Sequence, residues 1–136
     1  MNKMSLVFLT LPQVLVLHAD QLSRYGGSAG IRDSGLLESA IAMPQQTMFG
    51  DYLHCDVFEM AAAYLFHLVQ NHPFVDGNKR AGAVAALVFL ELNGWSLRVD
   101  DDALEQTVLA VASGHVEKSA LSVLLRDHSI PLPTNG

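Results

Sequence analysis

Cysteine is nearly absent from the sequence, which contains only Cys55. A single thiol excludes an internal disulfide and a zinc site built from several thiolates, and it fits a reducing compartment. Basic residues are also few, since eight Lys and Arg stand against fourteen Asp and Glu, for a formal net charge of −6. This balance disfavours direct nucleic-acid binding, which normally uses a basic face to meet the phosphates.

Long hydrophobic runs are missing as well. The two most apolar stretches, residues 57–69 and 81–92, are shorter than the roughly 18–20 residues that a membrane-spanning helix needs. Residues 6–17 are apolar after a lysine, but Thr10 and Pro12 interrupt them and no A-x-A-like cleavage site follows. A signal peptide is therefore disfavoured. We expect a cytoplasmic protein that has no membrane association.

Half of the 136 residues are hydrophobic, which is enough to form the core of one domain, and no repeat or linker divides the chain. We therefore predict a single domain over residues 1–136. Apolar periodicity, Thr and Asp N-caps and Gly or Pro stops predict an all-α fold, a compact bundle of about six helices with at most a short strand or flap. The predicted helices are 11–24, 34–43, 56–71, 78–94, 102–113 and 116–128. Short strands are predicted at 5–9 and 95–99, and a frayed tail at 131–136.

A polar loop, residues 71–80 (NHPFVDGNKR), joins the two most apolar of these helices. Lys79 and Arg80 fall in the first turn of the second helix, where the helix dipole disfavours cations, so their placement indicates a compensating anion. Backbone N–H groups of Gly77, Asn78 and Lys79 would face out of the helix end and bind that anion. The loop is not a Walker A motif, because GxxxxGK(S/T) is absent.

His72 and Asp76 supply two further groups for chemistry on a phosphate. A histidine can act as a general base near neutral pH. A carboxylate suits Mg²⁺, which commonly binds one or two carboxylates together with substrate phosphates. A base, a metal ligand and a phosphate-binding turn together indicate phosphoryl or nucleotidyl transfer. Alternatively, His72 only ends a helix and Asp76 belongs to an ordinary turn, and residue chemistry alone leaves both possibilities open.

The segment HPFVDGNKR, residues 72–80, resembles the signature of the Fic/Doc family. Fic enzymes typically have HPFx(D/E)GNGR, whereas the Doc branch, the death-on-curing toxins, has HxFx(D/N)(A/G)NKR. Every defined position of the Doc form is met here. Residues 25–45 (YGGSAGIRDSGLLESAIAMPQ) and 56–70 (DVFEMAAAYLFHLVQ) also resemble Doc-branch segments. The resemblance covers roughly residues 11–128 and implies a compact helical bundle.

By position, the resemblance implies a role for each residue of this loop. His72 would be the general base that deprotonates a hydroxyl group of a target protein. Phe74 would anchor the loop in the core, and Asp76 would coordinate Mg²⁺ with the phosphates of ATP. The phosphates would be held by the rest of the turn, which consists of Gly77, Asn78, Lys79 and Arg80.

The Doc branch implies the toxin of a toxin–antitoxin system, which transfers the terminal phosphate of ATP to translation elongation factor Tu and arrests translation. Fic enzymes that transfer AMP have Gly where this chain has Lys79, which favours phosphate transfer here, with AMP transfer as the alternative. Residues 34–39 (SGLLES) begin like the inhibitory motif (S/T)xxxE(G/N) of some Fic enzymes but end in Ser. Inhibition would therefore come from a partner antitoxin. Residues 48–53 are expected to form a flap that pairs with a target strand.

Two other functions compete with this interpretation. One is a catalytically idle module that binds an antitoxin and adjusts operator binding, although an idle relative would be expected to have lost part of the motif. The other is a metal nuclease, which the acidic surface disfavours because it would repel DNA. The side chains outside the loop lack the i, i+4 spacing of a zinc pair and are expected to have no ligand role. They are His18, His54, His67, His115, His128 and Cys55.

Overall fold

Four helices begin at a side chain that caps their first turn. Thr10, Asp33, Asp56 and Asp100 each accept a hydrogen bond from the backbone N–H three residues later, which satisfies a donor that the helix itself leaves unpaired. The computed structural model describes residues 5–133, and these form six α-helices and four short strands. The helices are α1 (Leu11–Tyr25), α2 (Ser34–Ala42), α3 (Val57–Asn71), α4 (Asn78–Leu92), α5 (Asp101–Ala112) and α6 (Lys118–Asp127). The strands are β1 (Thr47–Met48), β2 (Asp51–Tyr52), β3 (Trp95–Leu97) and β4 (Ser129–Pro131).

Helices α3 and α4 form the centre of the fold. α3 packs against α2, α4, α5 and α6, while α4 packs against α1, α3 and α5. Much of the core comes from these two helices, and its largest fully buried side chains include Tyr64 and Phe89. This packing confirms the prediction of a mainly helical bundle around two central helices. The two helices are central because only a surrounded helix can bury an apolar surface on all sides. Among residues 5–133, no helix combines the length and the hydrophobicity needed to cross a membrane.

Gly82 lets α3 and α4 approach each other closely. A β-carbon at this position would lie 2.9 Å from the Val69 Cγ2 atom and 3.1 Å from the Leu65 carbonyl oxygen. Both distances are shorter than an ordinary van der Waals contact, and neither a β-branched side chain nor a helix backbone moves easily. The packing distance between α3 and α4 therefore depends on the absence of a side chain at Gly82.

Each of the two small sheets is an antiparallel strand pair. β1 and β2 form an exposed hairpin at the segment expected to be a flap. β3 fulfils the prediction of a strand at 95–99, and it pairs with β4 so that Trp95 faces Pro131. The predicted frayed tail is therefore wrong at its start, because β4 and the bond from the Leu132 N–H to the Gly94 carbonyl hold it. Residues 134–136 lie outside the described residues.

The predicted strand at residues 5–9 is wrong. Its backbone groups bond to side chains instead of a neighbouring strand. The Leu9 N–H donates to the Tyr64 hydroxyl at 2.9 Å. The Asn93 amide accepts from the Val7 N–H and donates to the Val7 carbonyl, both at 2.9 Å. Because these side chains already satisfy the backbone, an extended segment is stable here without sheet pairing.

Replacing Gly82 by Ala is expected to lower the free energy of unfolding by about 1–2 kcal/mol. Overpacking a rigid contact costs about 1–3 kcal/mol, which outweighs the roughly 0.5–1 kcal/mol that Ala gains over Gly inside a helix. Gly35→Ala in α2 is the matched control, because Gly35 is exposed and the nearest atom to its β-carbon position is 3.4 Å away. Urea denaturation compares the three proteins. A Gly82→Ala protein as stable as the control would contradict the packing described here.

Candidate active site

Helix α3 ends at Asn71, and the next residue, His72, has a left-handed backbone (φ 48°, ψ 53°). This conformation is uncommon for a residue other than Gly and costs on the order of 1 kcal/mol. Arg32, from the segment before α2, holds it in place. Its Nε donates to the His72 carbonyl at 2.6 Å and its Nη2 donates to the Asn71 carbonyl at 2.9 Å. The guanidinium satisfies two carbonyls at the helix end and places a cation at the negative end of the dipole.

The backbone of the same segment also pairs with the loop. The Pro73 carbonyl accepts from the N–H groups of Arg32 and Asp33 at 2.7 and 3.0 Å. The Val75 N–H donates to the Gly30 carbonyl at 3.0 Å. The loop between α3 and α4 is thus fixed along one side, and the exposed ring of His72 projects from a rigid frame.

Asn78, the first residue of α4, closes this loop. Its Oδ1 accepts from the Phe74 N–H at 2.9 Å and its Nδ2 donates to the Phe74 carbonyl at 3.0 Å. The same Nδ2 lies 3.5 Å from His72 Nδ1, at the outer limit of a hydrogen bond. Phe74 itself is 1% exposed, as an anchor must be. The Asn78 side chain is committed to the loop, and only its backbone N–H faces the helix end.

Asp76 carries an exposed carboxylate in this loop. Its Oδ2 accepts from the Ser28 N–H at 3.2 Å and its Oδ1 accepts from the Gly77 N–H at 2.9 Å. These hydrogen bonds, with smaller contributions from the charges of Arg80 and Lys79, hold the pKa of the carboxyl below its usual value. Asp76 is therefore ionised at neutral pH.

A single ionised carboxylate sets a limit on how a metal could bind here. The described part of the chain contains no group of three or more His, Cys, Asp or Glu residues that could hold a metal by themselves. One carboxylate is nevertheless the usual protein contribution when Mg²⁺ binds together with substrate phosphates. Asp76 therefore fits a magnesium ion that arrives with a nucleotide.

Helix α4 begins without a side-chain cap. Its N-cap residue is Gly77, with φ 78°, a left-handed conformation that glycine adopts without steric cost. The backbone N–H groups of the first turn are therefore not covered by a capping side chain, and the helix dipole adds to their attraction for an anion. The exposed Lys79 adds a full positive charge at the same helix end.

Arg80 points from α4 across the end of α1. Its Nη2 donates to the Gly26 carbonyl at 3.0 Å, its Nη1 donates to the Gln21 carbonyl at 3.4 Å, and its Cζ lies 5.8 Å from the Tyr25 ring centroid. The carbonyl end of α1 carries partial negative charge and offsets the unfavourable position of this cation in α4. A compensating partner for Arg80 is thus present within the protein, in addition to any bound anion.

Residues 76–80 form the polar end of a groove between α1, α4 and α5 with a volume of about 640 Å³. Apolar side chains line much of the rest, among them Ala83, Leu87 and Leu104. This size and this mixture of surfaces suit a ligand such as a nucleotide. The structure therefore brings together five of the predicted site residues in one groove. His72 lies outside its lining, on the exposed side of the same loop.

Sequence reasoning missed two residues that contact this loop, His18 and Arg32. The buried His18 has its Nε2 2.8 Å from the Asp76 carbonyl oxygen. Its ring stacks on Phe74, with centroids 3.6 Å apart and planes within 5°. One signal was present, because His18 lies one turn after Val14 on the buried face of α1, where a polar side chain needs a partner. Arg32 carried no such signal within its glycine-rich segment.

His67 and His54 lie outside this loop and form contacts elsewhere. His67 Nε2 lies 3.1 Å from Lys118 Nζ. Burial, followed by the positive charge of Lys118, lowers the pKa of His67 to about 4. Burial also lowers the pKa of His54. Both histidines are therefore neutral in the folded protein near pH 7.

Comparison with known proteins identifies one family and two relatives. The model of the Fic/DOC family matches residues 8–90. "Toxin Doc" of Mycolicibacterium smegmatis is 45% identical over 78 residues, which are 57% of this chain and 60% of that protein. "Protein kinase doc" of Escherichia phage P1 is 33% identical over 114 residues, which are 84% of this chain and 89% of that protein.

Replacing Arg32 by Met is expected to lower the free energy of unfolding by about 1–2 kcal/mol, since two carbonyls at the end of α3 lose a charged donor. Arg24→Met is the matched control. Among residues 5–133, the exposed Arg24 pairs with Asp20 one turn away, a contact worth about 0.5 kcal/mol or less. Urea denaturation of both variants measures the difference. Equal losses in the two variants would contradict the clamping role of Arg32.

The pKa of His67 predicts a pH dependence of stability. The pKa of His67 is about 4 in the folded protein against an ordinary histidine pKa of 6.5, so the unfolded chain binds a proton first as the pH falls. Neutral His67 costs the folded protein no stability above pH 6.5. Between pH 6.5 and pH 4 the free energy of unfolding should fall by on the order of 1–3 kcal/mol, because only the unfolded chain gains the proton. Denaturation at several pH values should therefore show a steeper loss for the native protein than for His67→Gln. Parallel pH profiles of the two proteins would show the assignment to be wrong.

Proposed function

The chain belongs to the Fic/Doc family, in its Doc branch, and from this premise we propose that it transfers the terminal phosphate of ATP to a hydroxyl side chain of a target protein. One observation carries the proposal. The uncapped start of α4, with Lys79 and Arg80, forms the polar end of a groove of nucleotide size. Arg32 holds the backbone of His72 beside it, and Asn78 closes the loop between them.

The start of α4 would hold the phosphates. The Gly77 N–H and the N–H groups of the first turn supply donors, and Lys79 supplies charge. A phosphate at the Gly77 N–H would displace the Asp76 carboxylate, which now accepts from that group. This displacement would free Oδ1 of the carboxylate to hold Mg²⁺. A magnesium ion bound with the nucleotide would neutralise charge on the phosphates.

His72 would act as the general base. It takes the proton of the target hydroxyl while the hydroxyl oxygen forms a bond to the γ-phosphorus. The bond between that phosphorus and the β–γ bridging oxygen breaks, and ADP leaves. Because the backbone of His72 is fixed by Arg32 and the loop by Asn78, the ring needs little rearrangement to reach the hydroxyl.

Lys79 favours transfer of phosphate over transfer of AMP. AMP-transferring Fic enzymes have Gly at this position of the motif, where the backbone is open to a phosphate. In this chain a long cationic side chain stands at the helix end. It would fill part of that space and offer a point charge, which favours an orientation with the γ-phosphorus nearest His72.

The biological role that we propose is that of a toxin restrained by an antitoxin protein. The names of the two relatives, a toxin and a protein kinase, support this role. Translation elongation factor Tu is the proposed target and the cytoplasm the proposed location. Residues 1–136 would act as one domain, and the β1–β2 hairpin would contact the target.

Incubation of the purified protein with elongation factor Tu, Mg²⁺ and ATP labelled at either the α- or the γ-phosphate tests this function. Only the γ label is expected to enter the target, and His72→Ala should reduce the rate about 10²–10⁴-fold. His115→Ala is the matched control. It removes an exposed histidine that bonds to Ser113 and does not line the groove, and it should keep the native rate.

Each outcome of this experiment decides a part of the proposal. Incorporation of the α label would show AMP transfer and overturn the interpretation of Lys79. A lack of incorporation from either position would overturn phosphate transfer to this target. Native activity in the His72→Ala protein would remove His72 from its role as base.

A further inference from the structure

His18 makes a contact with the loop that takes no direct part in proton or phosphate transfer. We propose that His18 is a positioning residue. By holding the carbonyl of Asp76 toward α1, it aims the N–H of Gly77 at the phosphate site. The inference rests on the proposed function in one respect, which is that the anion bound there is a nucleotide phosphate.

The direction of the hydrogen bond follows from its partners. His18 Nε2 lies 2.8 Å from the carbonyl oxygen of Asp76, and a carbonyl can only accept, so Nε2 carries the proton. The ring has little freedom to turn away. It is 5% exposed and stacks on the buried Phe74 with centroids 3.6 Å apart. His18 is therefore a fixed donor beneath the loop.

The planar peptide unit transmits this contact to the site. The described residues contain no cis peptide bond, and in a trans unit the C=O and N–H point in opposite directions. A carbonyl of Asp76 that is held against α1 therefore fixes the N–H of Gly77 on the outer side. In the structure this N–H meets the exposed Asp76 carboxylate at 2.9 Å. The group is thus already presented to an anionic oxygen, at the polar end of the groove.

Gly77 makes such a restraint necessary. With φ 78° and no side chain, its backbone can adopt alternatives that other residues cannot, including a flipped peptide unit. A flip would turn the carbonyl of Asp76 outward and replace a donor by an acceptor, which repels a phosphate. The α-carbon of Gly77 also packs close to His18, since a β-carbon there would lie 3.4 Å from Nε2.

Packing against Phe74 is the competing explanation for His18, and two substitutions separate the two roles. His18→Phe keeps an aromatic ring on Phe74 but removes the donor. His18→Gln loses the ring but carries an amide NH₂ at about the reach of Nε2. A positioning role predicts that the Gln variant binds phosphate better than the Phe variant. A packing role predicts the opposite order.

The test uses protein labelled with ¹⁵N-glycine and titrated with ADP and, separately, with inorganic pyrophosphate. In the native protein the Gly77 amide resonance is expected to shift on binding, while that of Gly94, beyond the other end of α4, stays in place. His18→Phe should raise the Kd at least about 10-fold and abolish the Gly77 shift, as loss of a charge-assisted contact predicts. His18→Gln should stay within about 3-fold of the native Kd, a difference smaller than one hydrogen bond. If His18→Phe does not fold, His18→Asn replaces it, because its shorter amide cannot reach the carbonyl of Asp76.

A native Kd and a native Gly77 shift in His18→Phe, or in His18→Asn where it is used, would overturn the inference. A Gln variant as impaired as the variant without the donor would overturn it as well. If the native protein binds ADP at Gly77 but transfers no phosphate, the proposed function fails and the positioning role stands. If neither ligand moves the Gly77 resonance of the native protein, both are overturned.

Discussion

The side-chain amide of Asn78 closes the loop between α3 and α4 by bonding to both the N–H and the carbonyl of Phe74. A loop with this many polar backbone groups would be costly beside the two most buried helices if those groups were left unpaired. Asn78 resolves this locally, since it replaces the partners that regular secondary structure would supply. Phe74 can then insert into the core, while His72, Val75 and Asp76 are exposed. The relative positions of His72 and Asp76 depend on these two hydrogen bonds of Asn78.

Three contacts from two segments that are distant in sequence, α1 and the segment before α2, complete the site around Asn78. Arg32 fixes the end of α3, His18 fixes the peptide unit between Asp76 and Gly77, and the end of α1 offsets the charge of Arg80. In the function that we propose, these contacts would preorganise the site for a phosphate, although the protein as a whole carries a net charge of −6. Donors that are already in position need little rearrangement when charge develops in the transition state. Most of the rate enhancement in phosphate transfer comes from such positioning and charge stabilisation. The Asp76 carboxylate now bonds to the Gly77 N–H and must turn away before a phosphate can bind there.

The helices could be predicted from sequence because their signals are local. Caps such as Thr10 and Asp33 lie next to the segments they start, and the apolar character of α3 and α4 is visible within each segment. The pairing of β3 with β4 could not be predicted, because it joins residues more than thirty positions apart, such as Trp95 and Pro131. The error at residues 5–9 has the same origin, since the partners of that segment are side chains of distant helices. The loop was recognisable as one motif, whereas Arg32 and His18 become relevant only after folding.

A crystal structure with Mg²⁺ and a non-hydrolysable ATP analogue tests the account most directly. We expect the phosphates on the N–H groups of Gly77 and of the first turn of α4, with Asp76 turned away from Gly77. We expect the terminal phosphorus to be the one nearest His72. Phosphates bound elsewhere in the groove, or an α-phosphorus nearest His72, would contradict the central claim that this loop positions ATP for transfer of its terminal phosphate.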